Sequence, residues 1–127
     1  MKELEKGESI AYVALAVNAG SFNDPVHRNG LAHFLEHMIF MGSEKYPEED
    51  AYNMHISENG GFCNAFTDFE KTVFTFDVNY SGLEKAIDMM ASNFSKPLLL
   101  ADAVDREINA IESEFQMVSP NDDVRIV

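Results

Sequence analysis

Disulfide scaffolding, nucleic-acid binding and membrane insertion each call for something that this sequence lacks. Its 127 residues include one cysteine and no tryptophan, and nine Lys and Arg stand against 22 Asp and Glu. One cysteine cannot close an internal disulfide, so Cys63 reads as a small buried apolar side chain in a reducing compartment, the cytoplasm. A net charge of −13 offers no basic cluster to a phosphate backbone, and nucleic acid is not an expected partner. No apolar run reaches the ~18 to 20 residues that a membrane span needs. Met1 to Glu8 lacks the basic-then-apolar order of a signal peptide. The expectation is a soluble chain of single-domain size whose acidic field favours cationic peptides.

What is present has globular composition, 46% hydrophobic, arranged in two periods. Residues 1–8 are charged and read as a lead-in or linker tail. Residues 10–17 form a continuous apolar run, as in a strand buried on both faces. A turn-rich stretch follows to Gly30. Residues 31–41 then carry apolar side chains at 31, 34, 35, 38 and 39, the spacing of a helix that Gly42 stops. A second helix is expected from Pro47, with Glu48, Glu49 and Asp50 in its first turn, to Gly60-Gly61. Residues 62–67 and 71–78 alternate as the two strands of a hairpin. Ser81 to Glu84 has capping-box form ahead of a stripe of Leu83, Ala86, Ile87, Met90 and Phe94. A last helix is expected over 102–118, with Val104, Ile108, Ile111 and Phe115 inward and Pro120 beyond it. This order predicts an α+β domain over residues 9–127, an antiparallel or mixed sheet with helices packed on one face.

The stretch His33-Phe34-Leu35-Glu36-His37 falls in the middle of the first helix, and at 3.6 residues per turn positions 33, 36 and 37 share a face. Two imidazoles and a carboxylate so placed are parts of a hydrolytic zinc site. Catalytic zinc takes three protein ligands and keeps a fourth position for water, so a third donor must come from elsewhere. On the last helix Glu107 and Glu114 are seven residues apart, near one face but separated by ~10 Å along the axis. One suits a ligand and the other a group that orients a histidine; spacing does not choose between them. Glu112 points away from Glu114 on the helix wheel and reads as solvated. His27, in the turn-rich stretch, and His55, on the polar side of the second helix, read as surface residues.

Four stretches carry a resemblance: GSFNDP at 20–25, GLAHFLEHMIFMGSEKYP at 30–47, GGFCNAFTDFEKTVFTFDV at 60–78 and DREINAIESEF at 105–115. In order and spacing they resemble the inverzincin metallopeptidases, the family of insulin-degrading enzyme, pitrilysin and nardilysin, with wording most similar to nardilysin. The order His-x-x-Glu-His, the reverse of the commoner His-Glu-x-x-His, gives that family its name. The resemblance implies a zinc metalloendopeptidase in which His33, His37 and Glu114 are the metal ligands. Glu36 is then the general base for a zinc-activated water, and Glu107 is the acid behind the site. It also implies that Asn64, Ala65 and Phe66 lie on an edge strand where an extended peptide, basic by preference, pairs by strand addition. Family members are several times longer and close a cleft between two halves. Residues 9–127 are therefore expected to be part of the N-terminal catalytic domain, weak or inactive alone. The expected partners are a peptide substrate, the missing remainder of the enzyme and, through exposed sheet edges, other copies of the chain. The alternative is a truncated non-catalytic module that binds peptides or a partner on the same fold.

Overall fold

The computed structural model describes residues 9–118, with side chains as far as Glu114. The expected lead-in at 1–8, the Phe115 side chain and Pro120 lie outside the described residues. The elements are β1 (Ile10–Val17), α1 (Leu31–Met38), α2 (Ala51–Glu58), β2 (Cys63–Thr67), β3 (Thr72–Asn79), α3 (Leu83–Ser95) and α4 (Ala101–Val118). The three strands pair antiparallel in the order β1-β3-β2. The fold is α+β, and no parallel pair occurs among the described residues.

Alternation along β3 builds the core. Thr72, Phe74, Phe76 and Val78 are buried while their neighbours are half-exposed, as expected of a central strand covered on one face. Tyr52 and Ile56 of α2, Ala86, Met89 and Met90 of α3, and Ile39 just after α1 pack on that face. Phe40 locks the layers together, its ring 4.8 Å from Tyr52 and 5.3 Å from Phe74. Each large apolar side chain buried here contributes about 1.5–3 kcal/mol relative to exposure. Gly61 lets the chain enter the hairpin: a Cβ there would stand 1.8 Å from the Asp77 carbonyl oxygen.

The turn-rich stretch after β1 starts α1 in a fixed direction. Ser21 and Phe22 N–H groups bond to the carbonyls of Asp68 and Phe69 in the β2–β3 turn, and the Phe22 and Phe69 rings stack at 5.0 Å. Asp24 then accepts from the backbone N–H of Gly30 at 2.8 Å and of Ala32 at 2.9 Å. A carboxylate thereby caps the positive end of α1, and Gly30, at φ 89°, supplies the left-handed turn into it.

Several expectations are corrected. β1 is not buried on both faces; it is an edge strand, with Ile10 70% and Tyr12 68% exposed, because only β3 pairs with it and no described layer covers its outward parity. α1 ends at Met38, not Met41. α2 starts at Ala51 rather than Pro47, since residues 48–51 close a turn through the Ala51 N–H and the Glu48 carbonyl. The acids at 48–50 thus precede the first turn. At α3 the N-cap is Gly82 without a side-chain bond; a 3-10 turn over Tyr80–Gly82 replaces the expected capping box at Ser81. Rotation of α3 leaves Ile87 46% exposed and turns Met89 inward, and on α4 Ile108 is 51% exposed.

Candidate metal centre

Met38 and Ile39, 1% and 7% exposed, sink one side of α1 into the core. That turns His33, Glu36 and His37 toward α4 and the end of β2, and their donor atoms lie within 4.8 Å of one another. The Nε2 atoms of His33 and His37 are 3.2 Å apart. From α4, Glu114 brings Oε2 to 3.4 Å from His33 Nε2 and Oε1 to 3.6 Å from His37 Nε2. Donors at 2.0–2.2 Å around a tetrahedral zinc stand about 3.3–3.6 Å from each other. The two nitrogens and the carboxylate therefore already have the edge lengths of such a coordination shell.

Glu107, 14% exposed, meets His37 from the other side, its Oε2 2.7 Å from Nδ1. With the ring proton held at Nδ1 by this carboxylate, neutral His37 presents a lone pair at Nε2. His33 and Glu114 add further lone pairs at the same point. A cluster of that kind asks for a cation or a shared proton, and the donor set of two imidazoles and one carboxylate suits zinc. Glu36 stands beside it, held by the Thr67 hydroxyl, which donates to Oε2 at 2.5 Å, so its second oxygen remains for other work. α4 thus delivers both acids, Glu107 against the back of His37 and the more exposed Glu114 to the open side.

The other sequence candidates separate from this cluster. Asn64, Ala65 and Phe66 lie on β2, which pairs only with β3 among the described residues, and Phe66 is 50% exposed. The Ala65 N–H is taken by Asn64 Oδ1 at 2.9 Å, so an incoming strand would displace that carboxamide. His27 is exposed in its loop, as is Glu112 on α4. His55 is not a free surface group: its Nε2–H donates to the Gly82 carbonyl at 2.9 Å and ties α2 to the start of α3. Cys63 is half-buried and donates to Asn53 Oδ1 at 2.9 Å; burial pushes its thiol above the ordinary value. Thr67 was not among the expected residues. It shares the inward parity of Cys63 and Ala65, but Thr72 opposite it is an inward hydroxyl as well, so parity does not single it out.

The sequence model of the family described as "Insulinase (Peptidase family M16)" matches residues 3–126. Human nardilysin is 49% identical over 115 residues, 91% of this chain and 10% of nardilysin. "Insulin-degrading enzyme-like 1, peroxisomal" from Arabidopsis thaliana is 51% identical over 113 residues, 89% of this chain and 12% of that protein. Among solved structures, a crystal structure of pitrilysin superposes with a TM-score of 0.84 at 39% identity, covering 91% of this chain and 12% of pitrilysin. The chain spans about a tenth of the length of these relatives.

Proposed function

The chain belongs to the insulinase family, Peptidase family M16, a family of zinc metallopeptidases, and on that premise we propose that it carries the metal site of a zinc-dependent metalloendopeptidase. The observation that carries this reading is the convergence of His33 Nε2, His37 Nε2 and Glu114 at separations of 3.2–3.6 Å. His33, His37 and Glu114 hold the ion in this proposal, and Glu107 fixes the tautomer and ring orientation of His37.

When bound, zinc lowers the pKa of a coordinated water toward ~7 and polarises the scissile carbonyl. Glu36 takes the proton of the attacking water and passes it to the leaving amine. Thr67 keeps one Glu36 oxygen engaged, which leaves a single oxygen aimed at the proton. The free edge of β2 at Asn64, Ala65 and Phe66 receives an extended peptide as an added strand, leading it toward Glu36 at the Thr67 end.

The net charge of −13 supports a preference for basic peptides. Only acids within the ~8–10 Å Debye length of the cleft act on a substrate at ordinary salt, so KM for a Lys/Arg-rich peptide should rise several-fold between 20 and 500 mM salt while that for a neutral peptide stays level. The uncovered β1 edge and the exposed Ile10, Tyr12 and Phe62 support the inference that the remainder of a longer protein packs there, with self-association of the isolated chain as its consequence. A cytoplasmic setting belongs to the same proposal and is supported by the single cysteine; no helix among the described residues is long and apolar enough to cross a membrane.

Metal analysis tests the site. One zinc per chain is expected, lost in His33→Ala and retained in Glu36→Gln. Joined to the rest of a full-length relative, the unaltered segment should cleave a fluorogenic peptide and the Glu36→Gln form should not. A zinc-loaded unaltered segment without turnover in that setting would leave only the peptide-binding module.

A further inference from the structure

We propose that the fork between Arg106 and Glu49 sets the position of α4 against α1 and so fits the two acids to the histidine pair; this rests on the metal reading above. Arg106 immediately precedes Glu107. Its Nη1 and Nη2 each reach one oxygen of Glu49 at 2.7 Å, the parallel two-bond geometry in which guanidinium and carboxylate planes match. Glu49 belongs to the turn that leads into α2, and α2 is anchored in the core by Tyr52 and Ile56, 4% and 1% exposed. The fork therefore ties the residue beside Glu107 to a helix seated in the core.

Among the described residues α4 has few fully buried apolar anchors, Val104 and Ile111 being half-buried. Ala103 is its one fully buried side chain among the described residues, and Ile108 is half-exposed. Its remaining ties include the contacts of Glu107 and Glu114 with the histidines. A helix so held can slide or swivel on α1 at small apolar cost, whereas a coordination site works only within about 0.5 Å of its proper geometry. Most exposed ion pairs add little, because a screened attraction must order two flexible side chains. Here the planar head of Arg106 gives direction as well as attraction, which Lys in its place would not. Arg106 and Glu49 act through the ligands and are positioning residues.

The test is zinc affinity of the full chain, read by competition with a chromophoric chelator, beside denaturant unfolding of the metal-free proteins. Arg106→Glu and Glu49→Arg should each weaken zinc about three- to fivefold, and the exchange of both charges in one chain should recover most of that loss. Glu49→Gln removes the fork without altering α4, so it keeps the test valid if Arg106→Glu disturbs the helix; about a twofold loss is expected. Metal-free unfolding midpoints should be alike throughout. Unchanged affinity in Glu49→Gln and Arg106→Glu overturns the proposal, as does a loss that the exchanged pair fails to recover. An unaltered chain that takes up no zinc overturns the metal reading itself, and the fork with it, so the two failures are told apart.

Discussion

His33, Glu36 and His37 stand on a helix whose C-terminal end runs into the core through Met38 and Ile39, whereas Glu107 and Glu114 stand on one with a single fully buried side chain, Ala103, among the described residues. α1 is held by Met38, by Ile39 and, at its start, by Asp24. Among the described residues α4 is held by Ala103, by the half-buried Val104 and Ile111, by Arg106 and by the acids themselves. Apolar packing is insensitive to pH, salt and metal, and polar contacts are not. In the proposed metal centre the histidine half is thus prepared in advance, and the acidic half is the one that an ion would complete.

The sharpest way to break this contrast is to compare core and limb by denaturant unfolding. Phe76→Ala should cost about 3–5 kcal/mol, the loss for an aromatic in a close-packed interior, and Ile108→Ala under about 0.5 kcal/mol. Equal losses would make α4 part of the core. Next in size is Glu107→Gln, which should weaken zinc about tenfold or more, as removal of a charge behind a ligating histidine does, while leaving the metal-free midpoint nearly unmoved. A large fall in that midpoint would mean that Glu107 is chiefly a structural group. Asp24→Ala should cost about 1 kcal/mol for the lost helix cap and should loosen the histidine side only.

The smallest effect is a pH dependence confined to the body. The Asp88 carboxyl accepts from Lys45 Nζ and from the Tyr46 hydroxyl, and these bonds hold it below its ordinary value of 3.8. A depressed carboxylate contributes stability that is complete above the unfolded value and is lost as pH falls through the folded one. Asp88→Asn should therefore lower stability by a small, nearly constant amount near neutrality, where that contribution is complete, and flatten the acid limb of the unfolding curve below about pH 4.

What could be read from the sequence follows the same division. Apolar runs, periodicity and Pro, Gly and acidic punctuation located all seven elements, and the His-x-x-Glu-His spacing located the histidine pair with its carboxylate; periodicity served best in α1 and the hairpin, where tertiary packing reinforces it. Where a boundary or burial depends on distant partners, the sequence misled. β1 is apolar throughout, yet its place at the sheet edge exposes Ile10 and Tyr12. The start of α2 is displaced by a local turn, and His55 looks like a surface residue until Gly82 is seen across from it. For the acids on α4, spacing left Glu107 and Glu114 open; only the approach of α4 to α1 gives Glu107 the Nδ1 side of His37 and Glu114 the Nε2 side. Thr67 and the Arg106–Glu49 fork were invisible, since a hydrogen bond across 31 residues or an ion pair across 57 leaves no local pattern.

X-ray absorption at the zinc edge of the loaded chain addresses the central claim most directly. The account predicts two imidazole nitrogens at about 2.0–2.1 Å with one carboxylate oxygen and one solvent oxygen, and loss of the imidazole signal in His33→Ala and His37→Ala. A sphere built of oxygen alone, or one containing the Cys63 sulfur at about 2.3 Å, would contradict it.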